Sequence, residues 1–337
     1  MKIKYIVFSC IGLLVSIAAY SQKLVEVAFF DARMDYLQTY AGSKKDADRS
    51  GFKGKFSNFS IGGHITPKIS YFYRQRFSKP IKDGNFLDAT DYLDLTYKAS
   101  DRWRFCAGKQ DVNIGGYEYD YTPINYYHLS EFVYAISCYN FGVKATYCWN
   151  NGEINAQITQ STFDTRENDL YSYNLLWRGR YGKFTTIWST NMVEYAPGAF
   201  IHYIALGTKF NYGCGHVFLD YINRYAKGCG AAYLGDFSIV SELHYMPLSC
   251  LNILAKYTYD YNKENLYDSY VFPGTKLNSL GGGLEYFPIK DKKDVRLHAT
   301  YFYSWGKNGN PEGVLKPDGN YLNVGVTWRF DITKIRL

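Results

Sequence analysis

The chain has 337 residues, of which 19% are aromatic, including 35 Tyr, and 20% are charged. Beyond the first 21 residues it contains no run of 18 apolar residues, and this excludes a protein that spans a membrane with helices. The formal net charge is +7, but Lys and Arg are not clustered, so the sequence predicts no nucleic-acid partner.

The N-terminus has the features of a cleaved export signal. An apolar stretch from Tyr5 to Ala19 follows two lysines, and Ala19-Tyr20-Ser21 has the small-x-small pattern of a cleavage site. The stretch is short for a helical span, which needs roughly 20 residues. We therefore expect residues 1–21 to be a signal peptide and residues 22–337 to form the mature domain. Six Cys remain there without metal-like spacing, and the sequence does not pair them.

The mature part alternates polar and apolar residues with a period of two. In Asn252–Asp260 and again in Leu322–Asp331, apolar or aromatic side chains share one face and polar ones the other. This period places neighbouring side chains on opposite faces of a β-strand. We predict about sixteen strands, which begin near Val25, Phe56, Ile69, Asp88, Arg102, Asn140, Glu153, Leu170, Lys183, Phe200, Gly215, Gly235, Cys250, Lys276, Asp294 and Asn320.

The links between these strands are alternately short and long. Thr66–Lys68 is a short link, whereas Val112–Tyr139 and Tyr261–Thr275 are long, and Tyr195–Gly198 is interpreted as one of the long set. Outer-membrane barrels combine short periplasmic turns, long external loops and an even number of strands. A closed barrel also leaves no unpaired strand edge in lipid. The sequence thus predicts an all-β fold, a transmembrane antiparallel up-and-down β-barrel of about 16 strands, in contact with the lipid of a bacterial outer membrane.

The polar faces of the strands provide candidate residues for the lumen of this barrel. Basic side chains outnumber acidic ones on these faces, and rings of charge select ions in channels. Arg33, Arg74, Arg76 and Arg104 fall on strands near one another, and we expect them to form one cluster. The alternative for each single residue is a simple pairing across strands.

The longest link, Val112–Tyr139, is too aromatic to be a freely solvated loop. Its tyrosine rings would gain by burial, and the lumen wall is the nearest surface that they can cover. We therefore predict that this segment folds into the barrel and narrows the channel. Its charged residues Glu118, Asp120 and Glu131 would then lie opposite the arginine cluster.

Three short segments carry a family resemblance. Trp103–Gln110 followed by Gly115–Asp120 resembles the hallmark stretch of Bacteroidetes porins related to the phosphate-selective porin O and P family, and Ser70–Phe77 resembles the third strand of that family. The resemblance implies a sixteen-stranded outer-membrane channel that forms a homotrimer. The phosphate-selective members are similar in carrying lysine-rich loops at the pore entrance, whereas Val112–Cys138 has no Lys or Arg.

These patterns favour passive diffusion of small hydrophilic solutes, with a mild preference for anions, and no enzymatic activity, cofactor or metal. Two alternatives stay open. The first is an outer-membrane hydrolase, for which His244, His298, Ser238 and Ser304 share the lumen face, although no Gly-x-Ser-x-Gly motif is found. The second is a closed structural or adhesin-like barrel.

Overall fold

The computed structural model describes residues 24–81, 85–163, 169–226, 233–263, 269–290 and 292–334. Within these ranges sixteen strands form one closed antiparallel barrel, because each strand pairs with the next along the chain and the last pairs with the first. The predicted signal peptide, residues 1–21, and Cys229 lie outside the described residues. The other five cysteines of the mature domain are free thiols.

Most strands begin within two residues of the predicted positions. A further two-residue strand, Lys44–Lys45, pairs with the end of the first strand in the first long connection. The sixteen barrel strands are β1 Val27–Ala41, β2 Gly51–Thr66, β3 Ile69–Arg76, β4 Thr90–Lys98, β5 Trp103–Asp111, β6 Tyr139–Trp149, β7 Gly152–Gln160, β8 Tyr171–Tyr181, β9 Phe184–Ala196, β10 Ala199–Tyr212, β11 Gly215–Ala226, β12 Asp236–Leu248, β13 Leu251–Asn262, β14 Thr275–Tyr286, β15 Val295–Lys307 and β16 Gly319–Asp331.

The period-two pattern corresponds to the two faces of the barrel wall. In β13 the even-numbered residues, among them Lys256 and Asp260, are buried inside the barrel, whereas Ile253 is 38% exposed on the outer surface. In β16 Asn323 is buried while Val324 is exposed. The apolar stripe therefore faces outward and the polar stripe faces the lumen, as predicted.

One strand start is wrong by five residues. We expected β2 to begin near Phe56, but it begins at Gly51. The pairing of β1 with β2 shifts register between Arg33 and Met34, and Lys55 is the extra residue opposite that step. Such a bulge interrupts the alternation of faces, so the residues before Phe56 do not continue the pattern that follows it.

Long and short connections lie at opposite ends of the barrel, which we call the loop end and the turn end. The loop end carries connections 42–50, 77–89, 112–138, 161–170, 197–198, 227–235, 263–274 and 308–318, and the turn end carries 67–68, 99–102, 150–151, 182–183, 213–214, 249–250 and 287–294. The link predicted to be long at Tyr195–Gly198 is in fact a two-residue turn at Pro197-Gly198. Proline fixes its own φ, and Gly198 adopts a φ of +73°, which glycine accepts without strain.

In the described part of the chain, helical structure is confined to short segments. The third connection contains α1 (Tyr117–Asp120), a 3₁₀ turn (Pro123–Asn125) and α2 (Glu131–Ala135), and two more 3₁₀ turns lie at Phe86–Ala89 and Ile332–Lys334. Among the described residues no helix has the length and apolar character needed to cross a membrane.

Aromatic rings mark the strand ends on the outer surface. At the turn end Trp149 and Trp177 lie 4.6 Å apart between ring centroids, and Tyr181 is 50% exposed. Trp305 lies near the loop end of β15, where it stacks with Tyr303. Tyr and Trp prefer the boundary between lipid and water, so these rings indicate two boundaries across the barrel wall.

Candidate pore constriction

The connection 112–138 enters the barrel against the inner surface of β9 and β10, and we call it the inner loop. Its first close approach is at Gly115, whose N–H donates to Ser189 Oγ over 2.8 Å. A Cβ at Gly115 would lie 2.8 Å from the Ile187 carbonyl oxygen and 3.0 Å from that of Ala205. Gly116 follows with a φ of +104°. This pair of glycines is therefore what lets the backbone lie directly on the wall.

Two carboxylates of the wall bind the helical turns of the inner loop. Asp220 of β11 accepts from the backbone N–H groups of Tyr117 and Glu118 over 2.9 and 2.8 Å. Asp260 of β13 accepts from the N–H of Glu131 over 2.8 Å. Both carboxylates are fully buried. They occupy the first turns of α1 and α2, where unpaired N–H groups favour a negative charge.

Glu118 forms a buried ion pair with the same wall. Its carboxylate lies 2.8 Å from Lys256 Nζ and accepts from the Ser130 N–H over 2.9 Å. Lys256 also lies 3.2 Å from Glu242, and all three charged side chains are less than 10% exposed. We expected Glu118 and Glu131 to face the arginines across the channel. The structure instead pairs the Glu118 carboxylate with Lys256. Asp260 binds the backbone N–H of Glu131, whose carboxylate is directed toward Asn308 and the backbone of Leu315.

An apolar cluster fixes the inner loop to one side of the lumen. Phe132, which is fully buried, contacts the Tyr203 ring edge to face at 5.9 Å. The other members of this cluster come both from the inner loop and from inward-facing positions of the wall. They include Val112, Ile114, Leu129, Val133 and Ile136 from the loop, and Val193, Ile201, Ala205, Ile222 and Ala226 from β9–β11. Burial of this surface supplies the driving force that the tyrosine-rich sequence predicted.

The second half of the inner loop reaches the opposite wall. Arg33 of β1 forms an ion pair with Asp35 at 2.6 Å and donates to the carbonyl oxygens of Ile124, at 3.0 Å, and Tyr126. His128 forms a hydrogen bond with Ser279 Oγ of β14 at 2.6 Å. The inner loop thus crosses the lumen and contacts both sides of it.

The four arginines that we expected to cluster lie at three separate places. Arg74 and Arg76 share the buried carboxylate of Asp91, at 3.1 and 2.9 Å, near the loop end of β3. Arg33 binds the inner loop, as described above. Arg104 lies near the turn end of β5 and pairs with Glu153 at 2.6 Å. Neighbouring strands in the sequence do not imply the same height in the barrel, and this is why the predicted cluster separates.

A narrow space of about 80 Å³ separates the inner loop from the wall on the β3–β8 side. Arg74 lines it toward the loop end, and Asp120 and Arg178 line it toward the turn end. Asp120 Oδ1 lies 2.5 Å from Arg178 Nη2. From the sequence we expected Asp120 to be a channel residue but did not identify Arg178 as its partner, although Arg178 stands on the polar face of β8. The remaining lining comprises five tyrosines, Tyr92, Tyr119, Tyr121, Tyr126 and Tyr139, together with Asp111, Asn113, Ile114, Thr122, Pro123 and Cys138.

A larger space of about 440 Å³ lies beneath residues 122–125 toward the turn end. The stacked rings of His216 and His244, 4.6 Å apart, line one side of it. Two arginines line the other, and both are paired, Arg296 with Glu285 at 3.1 Å and Arg329 with Asp31 at 2.7 Å. A polar space thus lies on the turn-end side of the inner loop, and Thr122 lines both this space and the narrow passage.

Comparison with known families identifies the class of channel. The family described as phosphate-selective porin O and P matches residues 29–186. These residues are similar to that family, and together with the closed sixteen-stranded barrel the match supports an outer-membrane porin. The matched region covers β1–β8, the inner loop and the start of β9. All residues that line the narrow passage lie in this region. As an outer-membrane porin, the chain provides a route for passive diffusion.

Solved structures with the same fold and low sequence identity include a porin and other outer-membrane proteins. An anion-selective porin from Comamonas acidovorans superposes with a TM-score of 0.64 at 10% identity, over 90% of this chain and 98% of that one. OmpT, an outer-membrane protein of Vibrio cholerae, has a TM-score of 0.61 at 13% identity, over 92% and 99%. OmpF of Salmonella typhi has a TM-score of 0.61 at 11% identity, over 90% and 97%. No curated protein matches this porin significantly.

Most charges in the lumen of this porin are paired, so the numerical excess of basic residues noted in the sequence does not describe its field. Asp91, Glu153 and Asp111 compensate arginines and a lysine on the lumen face, which agrees with the alternative of simple pairing across strands. Among the described residues, positive charge is in excess beside Asp91, since its single carboxylate serves both Arg74 and Arg76. We did not identify Asp91 from the sequence, because the register between β3 and β4 shifts beside it.

Proposed function

We propose that this porin passes small hydrophilic solutes with a mild preference for anions. Polar and charged side chains line the inside of the barrel all the way around, whereas the outer surface is apolar. This arrangement supports the proposal most directly. A polar lumen stabilises hydrated solutes, and an apolar outer surface suits lipid.

The anion preference rests on two arginines that line the narrow passage. Arg74 stands beside Arg76, and the two share one carboxylate. Arg178 at the other end is about one-third exposed. Positive charge in a constriction attracts anions and repels cations. The lysine-free inner loop gives no support to phosphate selectivity, and the resemblance to Bacteroidetes porins stays a prediction.

We further propose that the porin acts as a homotrimer and has no enzymatic activity. OmpT of Vibrio cholerae is described in a trimer form at 14% identity and a TM-score of 0.56. The residues that favoured a hydrolase have other partners: His244 contacts Glu242 and Asn252, and His298 contacts Asp35 and Asn323. These contacts hold each ring in the wall of the lumen.

A closed barrel is the second candidate, and one observation favours it. The inner loop contacts β1 and β14 as well as β9–β13, so it crosses the lumen instead of following one side. In that case the narrow passage would not conduct ions.

Planar-bilayer recording separates the two candidates. Purified protein is added to a bilayer between KCl solutions of tenfold different concentration, and the current and reversal potential are measured. A porin gives stepwise current increments, and a mild anion preference gives a small reversal potential of the anion-selective sign. Absence of increments would support the closed barrel, and a cation-selective sign would refute the anion preference.

A further inference from the structure

The inner loop is held on its two sides by contacts of different strength. Against β11–β13 its partners are buried: Lys256 is 5% exposed, and Asp220 and Asp260 are fully buried. Against β8, Tyr117 shares an apolar cluster with the buried side chain of Leu176, whereas the polar contact is the ion pair of Asp120 with Arg178, whose side chains are 34% and 32% exposed. Ion pairs that water reaches are weak and exchange readily. The buried contacts, which include those of Arg33 and His128 on the opposite wall, therefore fix the backbone of the inner loop, whereas the side chain of Asp120 can be released.

Arg178 has a second carboxylate within reach. Its Nε lies 3.8 Å from Glu153 of β7, and Glu153 in turn binds Arg104 at 2.6 Å. Release of Asp120 would leave Arg178 charged and still partly compensated by the wall. Asp120 is the last residue of α1, immediately before the segment that crosses the lumen. A small displacement there widens the narrow passage at its turn end, since Asp120 and Arg178 both line it.

We propose that the Asp120–Arg178 ion pair is a latch that closes the passage, and that small carboxylate anions open it by replacing Asp120 on Arg178. The inference rests on the proposed function, because a latch affects solute flow only in a conducting channel. A free carboxylate presents the same group as Asp120, and the guanidinium binds carboxylates through paired N–H groups. Arg178 is thus the residue that determines which solutes open the passage.

Two neutral variants make the latch measurable in planar bilayers. Asp120→Asn should increase the open-state occupancy by up to about fivefold, the factor that corresponds to an exposed ion pair, and should shift the reversal potential toward anions because Arg178 is freed. Arg178→Gln should also raise the occupancy, but it should shift the reversal potential toward cations because Asp120 is freed. Arg180→Gln, two residues further along β8 and exposed at the mouth, is the matched control and should leave the occupancy unchanged.

The wild-type protein provides a test that does not depend on any variant. In potassium acetate the open dwell times should lengthen with acetate concentration at constant ionic strength, and Arg178→Gln should abolish this dependence. If wild type forms no channels in either salt, the proposed function itself fails. If wild type conducts but Asp120→Asn and acetate leave the occupancy unchanged, the latch is refuted while the channel stands.

Discussion

The buried lysine between Glu118 and Glu242 provides a quantitative test of how the inner loop is attached. Lys256→Met keeps most of the side-chain volume but leaves both carboxylates without their cation, at sites where Glu118 is fully buried and Glu242 is 7% exposed. Removal of one partner from a buried ion pair costs about 3–5 kcal/mol. We expect a loss of that size in the free energy of unfolding.

Lys144 serves as the matched control for this change. It also stands on the lumen face, but its pair with Asp111 is longer, at 3.7 Å, and both side chains are partly exposed, at 20% and 33%. Exposed pairs contribute roughly 0.2–1 kcal/mol, so Lys144→Met should destabilise the protein by no more than about 1 kcal/mol. Urea unfolding in detergent micelles, followed by tryptophan fluorescence, measures both values.

A triple variant identifies the cause of the loss. Lys256→Met combined with Glu118→Gln and Glu242→Gln removes the uncompensated charges, and it should recover a large part of the stability lost in Lys256→Met. Equal destabilisation by Lys256→Met and Lys144→Met would refute this expectation. The buried contacts of Lys256 with Glu118 and Glu242 would then contribute no more stability than the exposed pair of Lys144 with Asp111.

Three further predictions address the wall, the glycine contact and the charge of the passage. Leu95→Arg, on the outer surface at a side chain that is 51% exposed, should destabilise the barrel in lipid vesicles by roughly 2–4 kcal/mol, whereas Thr96→Arg on the lumen face should be tolerated in the same urea titration. Gly115→Ala should push the inner loop off the wall and raise both single-channel conductance and protease sensitivity, since its Cβ would lie 2.8–3.0 Å from backbone atoms; Gly213→Ala, with nothing within 4 Å of the new Cβ, should change neither. Arg76→Gln leaves Arg74 on Asp91 and should shift the reversal potential toward cations, more at 0.1 M salt than at 1 M, because the screening length falls from about 10 Å to about 3 Å.

The sequence predicted the strands well because alternation of faces is a local property. Asn252–Asp260 shows its two faces without knowledge of any neighbour, and the tyrosines from Tyr117 to Tyr134 indicate burial by their composition alone. Local patterns failed where the backbone departs from regular pairing. The bulge at Lys55 hid the start of β2, and the register shift beside Asp91 hid the partner of Arg74.

The partners of the inner loop could not be predicted, for a different reason. Glu118, Asp120 and Glu131 are close in sequence, yet they contact β13, β8 and again β13. Which wall residue each one meets depends on the path of the loop through the lumen and on the height of each strand. Arg104 and Arg74 show the same limit, since both face the lumen but lie at opposite ends of the barrel.

We infer that the inner loop sets the size of a conducting passage through this porin. Single-channel conductance of a variant that lacks Gly115–Ser130, compared with wild type in the same KCl solution, tests it most directly. The deletion removes α1 and the segment that crosses the lumen, while Glu131–Ala135 keeps its contact with Asp260. We predict stepwise channels in both proteins and a larger step in the variant. An unchanged step in a correctly folded variant would contradict the claim and would place the passage somewhere other than beside the inner loop.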